Sequence, residues 1–329
     1  MKYRKLGKTG FDVSEVSLGT WQVGGKWGSE FDEQNAEKII NASVDQGVYF
    51  IDTADVYSNG QSEATVAKVV KERQEEIFVA TKCGRRIQPH VNEEYTPEKL
   101  TSFVEDSLHN TGFKALDLIQ LHCPPTEVYY RPEIFETFDK LKDQGKIKHL
   151  GVSVEKAEEA LKAIEYPNVT TVQIIFNMFR HRPAELFFQE AERRNIGVIV
   201  RVPLASGLLS GKMTKDMTFG EGDHRHFNRE GEAFDKGETF SGVEFEKGID
   251  AVEELRTHFD ENQGSLAQWA IRYVLMFPAV STVIPGASSV EHALDNAAAS
   301  DLPPLSSKQM DAVEQVYDNY FRSAVHHRW

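Results

Sequence analysis

Four side chains able to hold or move a proton stand at the ends of short apolar runs. Asp52 closes "YFID" (49–52), Lys82 closes "IFVATK" (77–82), His122 closes "LDLIQLH" (116–122), and Tyr57 follows Asp52 in "IDTADVY". Together they suit acid catalysis at a carbonyl. A free phenol, with a pKa of about 10, is a poor acid at neutral pH. A nearby ammonium favours the phenolate, so Lys82 is expected to lower the Tyr57 pKa. Asp52 would keep Lys82 charged and in place, and His122 would orient an oxygen or stabilise its developing charge. Each residue alone has an ordinary reading: a turn cap for Asp52, packing for Tyr57, a solvated surface amine for Lys82, a satisfied core imidazole for His122. Their joint placement on three consecutive strand ends favours function. The chain lacks Gly-x-Ser-x-Gly and a Cys–His pair with a third orienting group, so no activated nucleophile is indicated.

The elements that must position these residues alternate. Strand candidates are 15–19, 49–52, 77–82, 116–122, 147–153, 171–176, 197–202 and 280–285, separated by amphipathic stretches such as 32–46, 97–112 and 183–195. Thr96-Pro97-Glu98 reads as a helix start, and Gly47, Gly112 and Gly145 as helix ends. Eight strand–helix units imply an α/β fold, a (β/α)8 TIM barrel over residues 1–329 as one domain. An open doubly wound sheet is the alternative. The missing Gly-x-Gly-x-x-Gly after the first strand and the polar strand ends favour the barrel. Residues 1–14 read as a hairpin around Gly7-Lys8-Thr9-Gly10 that closes one barrel end. The Gly- and charge-rich stretch near 213–247 is a long loop insertion, either a lid or disordered.

Of the 329 residues, 40% are hydrophobic and 27% charged, as in a globular protein. The net charge of −14 argues against nucleic acid or an anionic membrane as partner. "MKYRKLGKTGF" lacks the apolar core of a secretory leader, and no run is apolar enough to span a membrane. Cys83 and Cys123 are too few for a disulfide framework and lack zinc-type spacing. A cytoplasmic protein is the reading. If strand alternation continues, both cysteines point away from the catalytic mouth. "DHRHF" (223–227) offers histidines but no further ligands at suitable spacing, so no metal is expected.

"IDTADVY", "ATK" and "LIQLHCP" resemble the aldo-keto reductases, NAD(P)H-dependent barrels with an Asp-Tyr-Lys-His tetrad; potassium-channel β subunits share this resemblance. It covers nearly the whole chain and assigns the tetrad to Asp52, Tyr57, Lys82 and His122. It implies that Gly19, Thr20 and Trp21 of "SLGTW" lie beside nicotinamide and substrate. Ser153 of "GVS" and Gln173 of "VQIIFN" would bind the carboxamide. "RVPLASGLLSGK" (201–212) would cover the cofactor through Arg201, Pro203, Leu204, Ser206, Gly207, Leu209 and Lys212. "VIPGASSVEHALDNAAA" (283–299) would hold the adenosine phosphate through Gly286, Ser288, His292, Asp295 and Asn296.

The pattern departs in places. Val154 stands where the family often has Asn, and Arg201 where many members stack an aromatic ring on the nicotinamide. Gly286, Ser288 and His292 replace the basic grip on a 2′-phosphate, and Ser289 could simply cap a helix. NADPH is the expected cofactor, with NADH as the alternative. Trp21, Trp27, Tyr57 and His122 would line the substrate pocket, with Tyr129 or Tyr130 as further candidates. The resemblance implies reduction of a small aldehyde or ketone, with Tyr57 as proton donor. The competing reading is a nucleotide-binding regulatory subunit of a membrane channel; a hydrolase barrel would need a metal or nucleophile. Oligomeric state is not encoded in any motif.

Overall fold

The computed structural model describes residues 1–25 and 30–329. All eight expected strands form, and all pair in parallel: β3 (Leu18–Gly19), β4 (Phe50–Asp52), β5 (Phe78–Cys83), β6 (Leu116–His122), β7 (Ile147–Ser153), β8 (Val169–Ile175), β9 (Gly197–Arg201) and β10 (Val280–Val283). They follow one another in sequence order, and parallel bridges Val16–Val283 and Gly19–Gly286 join the last strand to the first. The Ser17 N–H donates to Val283 O at 2.8 Å and the Gly19 N–H to Pro285 O at 3.1 Å. The sheet therefore closes into a barrel, and the open-sheet alternative is set aside.

The hairpin of β1 (Tyr3–Lys5) and β2 (Asp12–Ser14) pairs antiparallel around a 3-10 turn at Gly7–Thr9. Gly7 sits at φ 51°, and a Cβ there would lie 2.1 Å from the Gly197 nitrogen. Only glycine permits this approach, which drives Leu6 beneath the barrel. Leu6 and Val13 pack with Phe50, Ala80, Leu118 and Ile199 as an apolar floor. Strand side chains alternate faces, so the next inward position above each floor residue lies two residues on. Those positions are Asp52, Lys82, Gln120 and Arg201, followed by His122 above Gln120. The apolar floor thus fixes the register that delivers a polar mouth.

Helices α1 (Glu33–Asp45), α2 (Gln61–Glu72), α3 (Pro97–Thr111), α4 (Pro132–Asp143), α5 (Ala157–Ala163) and α6 (Phe187–Arg193) follow β3 to β8 in turn. The cap of α3 is as expected: Thr96 Oγ1 accepts from the Lys99 N–H, Pro97 opens the helix, and Gly112 ends it at φ 59°. The 213–247 stretch carries a short α7 (His224–Phe227) and leads into α8 (Phe245–Arg256). Helices α9 (Leu266–Val274), α10 (Val290–Ala298), α11 (Ser307–Tyr320) and α12 (Arg322–Val325) complete the described chain. Among the described residues no helix is long and apolar enough to cross a membrane.

Candidate active site

Asp52 and Lys82, both fully buried, meet at the C-terminal end of the barrel with Nζ 2.5 Å from Oδ1. Lys82 also donates to Thr53 O at 2.8 Å and to the Tyr57 hydroxyl at 3.3 Å. The second Asp52 oxygen accepts from Gln120 Nε2 at 3.0 Å and Gln173 Nε2 at 2.8 Å. A buried carboxylate is thus saturated by one ammonium and two amides, as burial of a charge demands. Burial lowers the Lys82 pKa, but Asp52 and Tyr57 outweigh it and hold the amine above its usual value. Gln120 was not singled out from sequence, although it shares the inward face of β6 with His122.

A relay of hydroxyls ties down the start of the loop that carries Tyr57. Thr53 Oγ1 donates to Ser62 Oγ, which donates to Thr20 Oγ1, which donates to Asp52 O, at 2.9, 2.9 and 3.0 Å. Beyond Tyr57 the chain turns through Ser58 and Asn59 at φ 47° and 54°, which aims the ring back across the mouth. Its pKa departs from the expectation. Burial raises it by more than the Lys82 charge lowers it, so the phenol is pushed upwards on balance. Lys82 limits that rise rather than producing an acidic phenol.

Asp55 of the same loop is fully buried, with Arg86 Nε at 3.3 Å, and burial pushes its pKa up to about 7 despite that guanidinium. Well below pH 4 it is protonated in both folded and unfolded chains. As pH rises the unfolded chain, with an ordinary value of 3.8, ionises first, so the fold loses stability between about pH 4 and 7. Asp55→Asn should remove this loss. Urea unfolding at both ends of the range should show the variant gaining on wild type as pH rises.

His122 faces Tyr57 edge-on at 6.1 Å between ring centres. Burial, then the charges of Lys82, Arg85 and Arg201, depress its pKa well below the usual range, so the imidazole is neutral. The Trp21 ring stacks on Tyr57 at 6.0 Å and 8°. Phe234 and His224 of the long loop pack on Trp21 at 6.1 and 5.6 Å. Trp27 lies outside the described residues. Tyr129 is buried in the core with its hydroxyl on Ser153 O, and Tyr130 faces solvent, so neither lines the mouth.

A buried charge cluster borders the tetrad. Arg201 reaches Glu155 Oε2 at 3.1 Å and Glu238 Oε2 at 2.6 Å, and also donates to Val154 O. Burial and Glu238 raise the Glu155 pKa to about 7, while Arg201 and Arg85 overcome burial to keep Glu238 below its usual value. Cys123 was expected to point away from this mouth. Instead its Sγ lies 3.4 Å from Ser153 Oγ and 3.6 Å from an Arg201 nitrogen. The reason is a left-handed turn at φ 48° just past β6, which breaks the alternation. Cys83 joins the hydrophobic core. Cys123, Glu155 and Glu238 bring ligand-type atoms within 4.8 Å of one another, and Arg201 engages one oxygen of each carboxylate. His224, in "DHRHF", packs beside Trp21 and Phe234 with its pKa lowered by burial to about 4.

The long loop is docked over the mouth. Ser206 Oγ bonds Glu238 O and the Phe240 N–H, both at 3.0 Å, and Asn177 Nδ2 bonds Ser241 Oγ at 2.7 Å. The C-terminal Trp329 clasps it: Nε1 donates to Asp235 Oδ1 at 3.0 Å, and the ring lies 4.4 Å from the Arg180 guanidinium. A Cβ at Gly242 would lie 2.1 Å from that indole, and one at Gly237 2.2 Å from the Arg180 guanidinium. Trp329→Ala should therefore loosen this segment. Limited proteolysis within 213–247 should accelerate on the order of tenfold.

A sequence profile of the Aldo/keto reductase family matches residues 15–318. The chain belongs to that family. Among its relatives is the aldo-keto reductase YhdN of Bacillus subtilis, 30% identical over 87% of this chain and 85% of that one. A probable voltage-gated potassium channel subunit beta of Arabidopsis thaliana is 28% identical over 96% of each chain. The solved glycerol dehydrogenase of Gluconobacter oxydans superposes with a TM-score of 0.78 at 28% identity, covering 97% of this chain and 96% of that one.

In this aldo/keto reductase the segments expected to hold a nicotinamide dinucleotide border the same mouth. The Gly19–Gly286 bridge sets the two ends of the expected site side by side, and a Cβ on Gly19 would lie 2.8 Å from Ile284 O. Ser153 is buried beside Cys123, and Gln173, with its amide nitrogen committed to Asp52 and Gln120, keeps its carbonyl oxygen to offer. The covering segment turns through Val202, Ala205 and Ser206 at φ 55°, 47° and 57°. Such positions cost about 1–3 kcal/mol each and cluster at functional sites. Within it Pro203 and Leu209 are buried, Leu204 and Gly207 half-buried, and Lys212 exposed. At the adenosine end Ser289 caps α10, and Ser288 Oγ lies 3.2 Å from His292 Nδ1. Asn296 donates to Gly286 O, and Asp295 accepts from Gln268. The donors fit a dinucleotide.

Proposed function

We propose that this aldo/keto reductase reduces aldehydes and other reactive carbonyls to alcohols, with Tyr57 as proton donor. The observation that carries the reading is the Asp52–Lys82–Tyr57 chain, at 2.5 and 3.3 Å, ending beside a neutral His122 under an aromatic wall. A bound reduced nicotinamide would supply the hydride. Neutral His122 can donate a hydrogen bond that holds the carbonyl oxygen near the Tyr57 hydroxyl. Tyr57 gives its proton to that oxygen as negative charge develops there, and Lys82, anchored by Asp52, stabilises the phenolate left behind. Arg201, matched by two carboxylates, brings little net charge to the rim, so its effect on oxidised nicotinamide is smaller than an unpaired guanidinium would have.

NADPH is the proposed cofactor and NADH the alternative, because the adenosine end offers Ser288, Ser289 and His292 in place of guanidinium groups. The proposed substrate is a small carbonyl compound met in the cytoplasm. The test is absorbance at the reduced-nicotinamide band, with NADPH and NADH in turn, against an aromatic and an unsaturated aliphatic aldehyde. Aldehyde-dependent loss of absorbance is expected, faster with NADPH. Likeness to a channel β subunit supports a regulatory second reading. Tight nucleotide binding without turnover of either aldehyde would move that reading first.

A further inference from the structure

Arg85 and Arg86 leave the end of β5 together, after Gly84 turns the chain at φ 102°. Their surroundings differ completely. Arg86 pairs with Asp55 and Asp106 and lies over the Phe103 ring. Arg85 is half-buried, yet among the described residues its guanidinium makes no hydrogen bond and no ion pair. It lies over the Phe234 ring, 6.0 Å from centroid to guanidinium carbon. Phe234 in turn packs on Trp21, and Trp21 on Tyr57. The carboxylates whose charge acts on Arg85, Glu238 and Glu155, are both engaged by Arg201. The chain of contacts through Phe234 and Trp21 places Arg85 over the same rim as the tetrad.

A guanidinium withdrawn from water without a partner is costly, and a site retains one most readily for an anion that arrives with a ligand. We propose that Arg85 is a substrate-anchoring residue and that the preferred substrates are aldehydes bearing a carboxylate remote from the carbonyl. The fork of Arg85 would take the carboxylate, Trp21 and Phe234 would form one apolar wall along the intervening carbon skeleton, and the carbonyl would reach Tyr57 and His122. A carboxylate fits better than a dianionic phosphate. One fork matches one carboxylate, and Glu155 and Glu238 close by oppose a second negative charge. The assignment rests on the reductase reading and adds the substrate class to it.

The experiment compares 4-carboxybenzaldehyde with its neutral methyl ester, methyl 4-formylbenzoate, in wild type, Arg85→Ala and Arg85→Lys. The readout is the ratio of the two kcat/KM values, so any general loss of activity cancels. Wild type should prefer the acid by at least about tenfold, and Arg85→Ala should bring the ratio down by roughly 10–100-fold, mainly through KM of the acid. Arg85→Lys should keep part of the preference. A wild-type ratio near one, or a ratio unmoved in Arg85→Ala, overturns the assignment. Quenching of tryptophan fluorescence by 4-carboxybenzyl alcohol supplies a readout that needs no turnover. Binding that depends on Arg85 in a protein that reduces neither aldehyde would sink the reductase reading and keep the anion site; no such binding and no turnover would sink both.

Discussion

Tyr57→Phe is expected to lower kcat for aldehyde reduction by about 10²–10⁴-fold, the usual contribution of a positioned general acid. The hydroxyl receives its hydrogen bond from Lys82 Nζ at 3.3 Å, and the ring is held separately by Trp21 and His122. Removing one oxygen therefore deletes the proton and little of the packing. Binding of the reduced dinucleotide, followed by protein fluorescence, should stay close to wild type, and thermal unfolding should shift little. Loss of turnover with binding retained identifies Tyr57 as the donor. A variant that keeps more than about a tenth of wild-type kcat would mean that the proton comes from elsewhere, and His122 would then be the next candidate.

The second large effect concerns stability. Lys82→Met leaves the Asp52 carboxylate buried with two amide donors and no cation. Breaking such a pair from one side typically costs about 3–5 kcal/mol, which should appear as a large fall in the urea midpoint. Asp52→Leu in the Lys82→Met background should recover much of that loss, because the uncompensated charge is gone. Neither protein should reduce aldehydes, since the phenolate has lost its neighbouring ammonium. If the single variant unfolds at the wild-type midpoint, Asp52 is protonated or watered in the fold, and its proposed role as the anchor of Lys82 fails.

Both predictions depend on contacts between residues far apart in the chain, and this is where sequence and structure part. The barrel was legible because its strands are short apolar runs whose last inward position turns polar, at Asp52, Lys82 and His122. Period-two alternation alone then puts those groups on one face, above the floor of Phe50, Ala80 and Leu118. The cap of α3 and the Gly7 turn were legible because they use local chemistry. Gln120 was in principle legible by the same alternation, two residues before His122.

The rest was decided by the tertiary structure. Whether burial or Lys82 governs the Tyr57 pKa depends on how much water reaches the phenol, which no spacing records. The direction of Cys123 followed from one left-handed residue past the end of a strand, where periodicity stops being informative. Nothing local marks Glu155, Glu238 and Arg201 as one cluster, because β9, the turn after β7 and the long loop meet only when the barrel closes. The docking of that loop under Trp329 is likewise a contact between a glycine-rich segment and the chain's last residue. Alternation and caps act within a few residues and can be read from order alone. Burial and long-range pairing depend on which surfaces closure brings together, and those set the charges of the site.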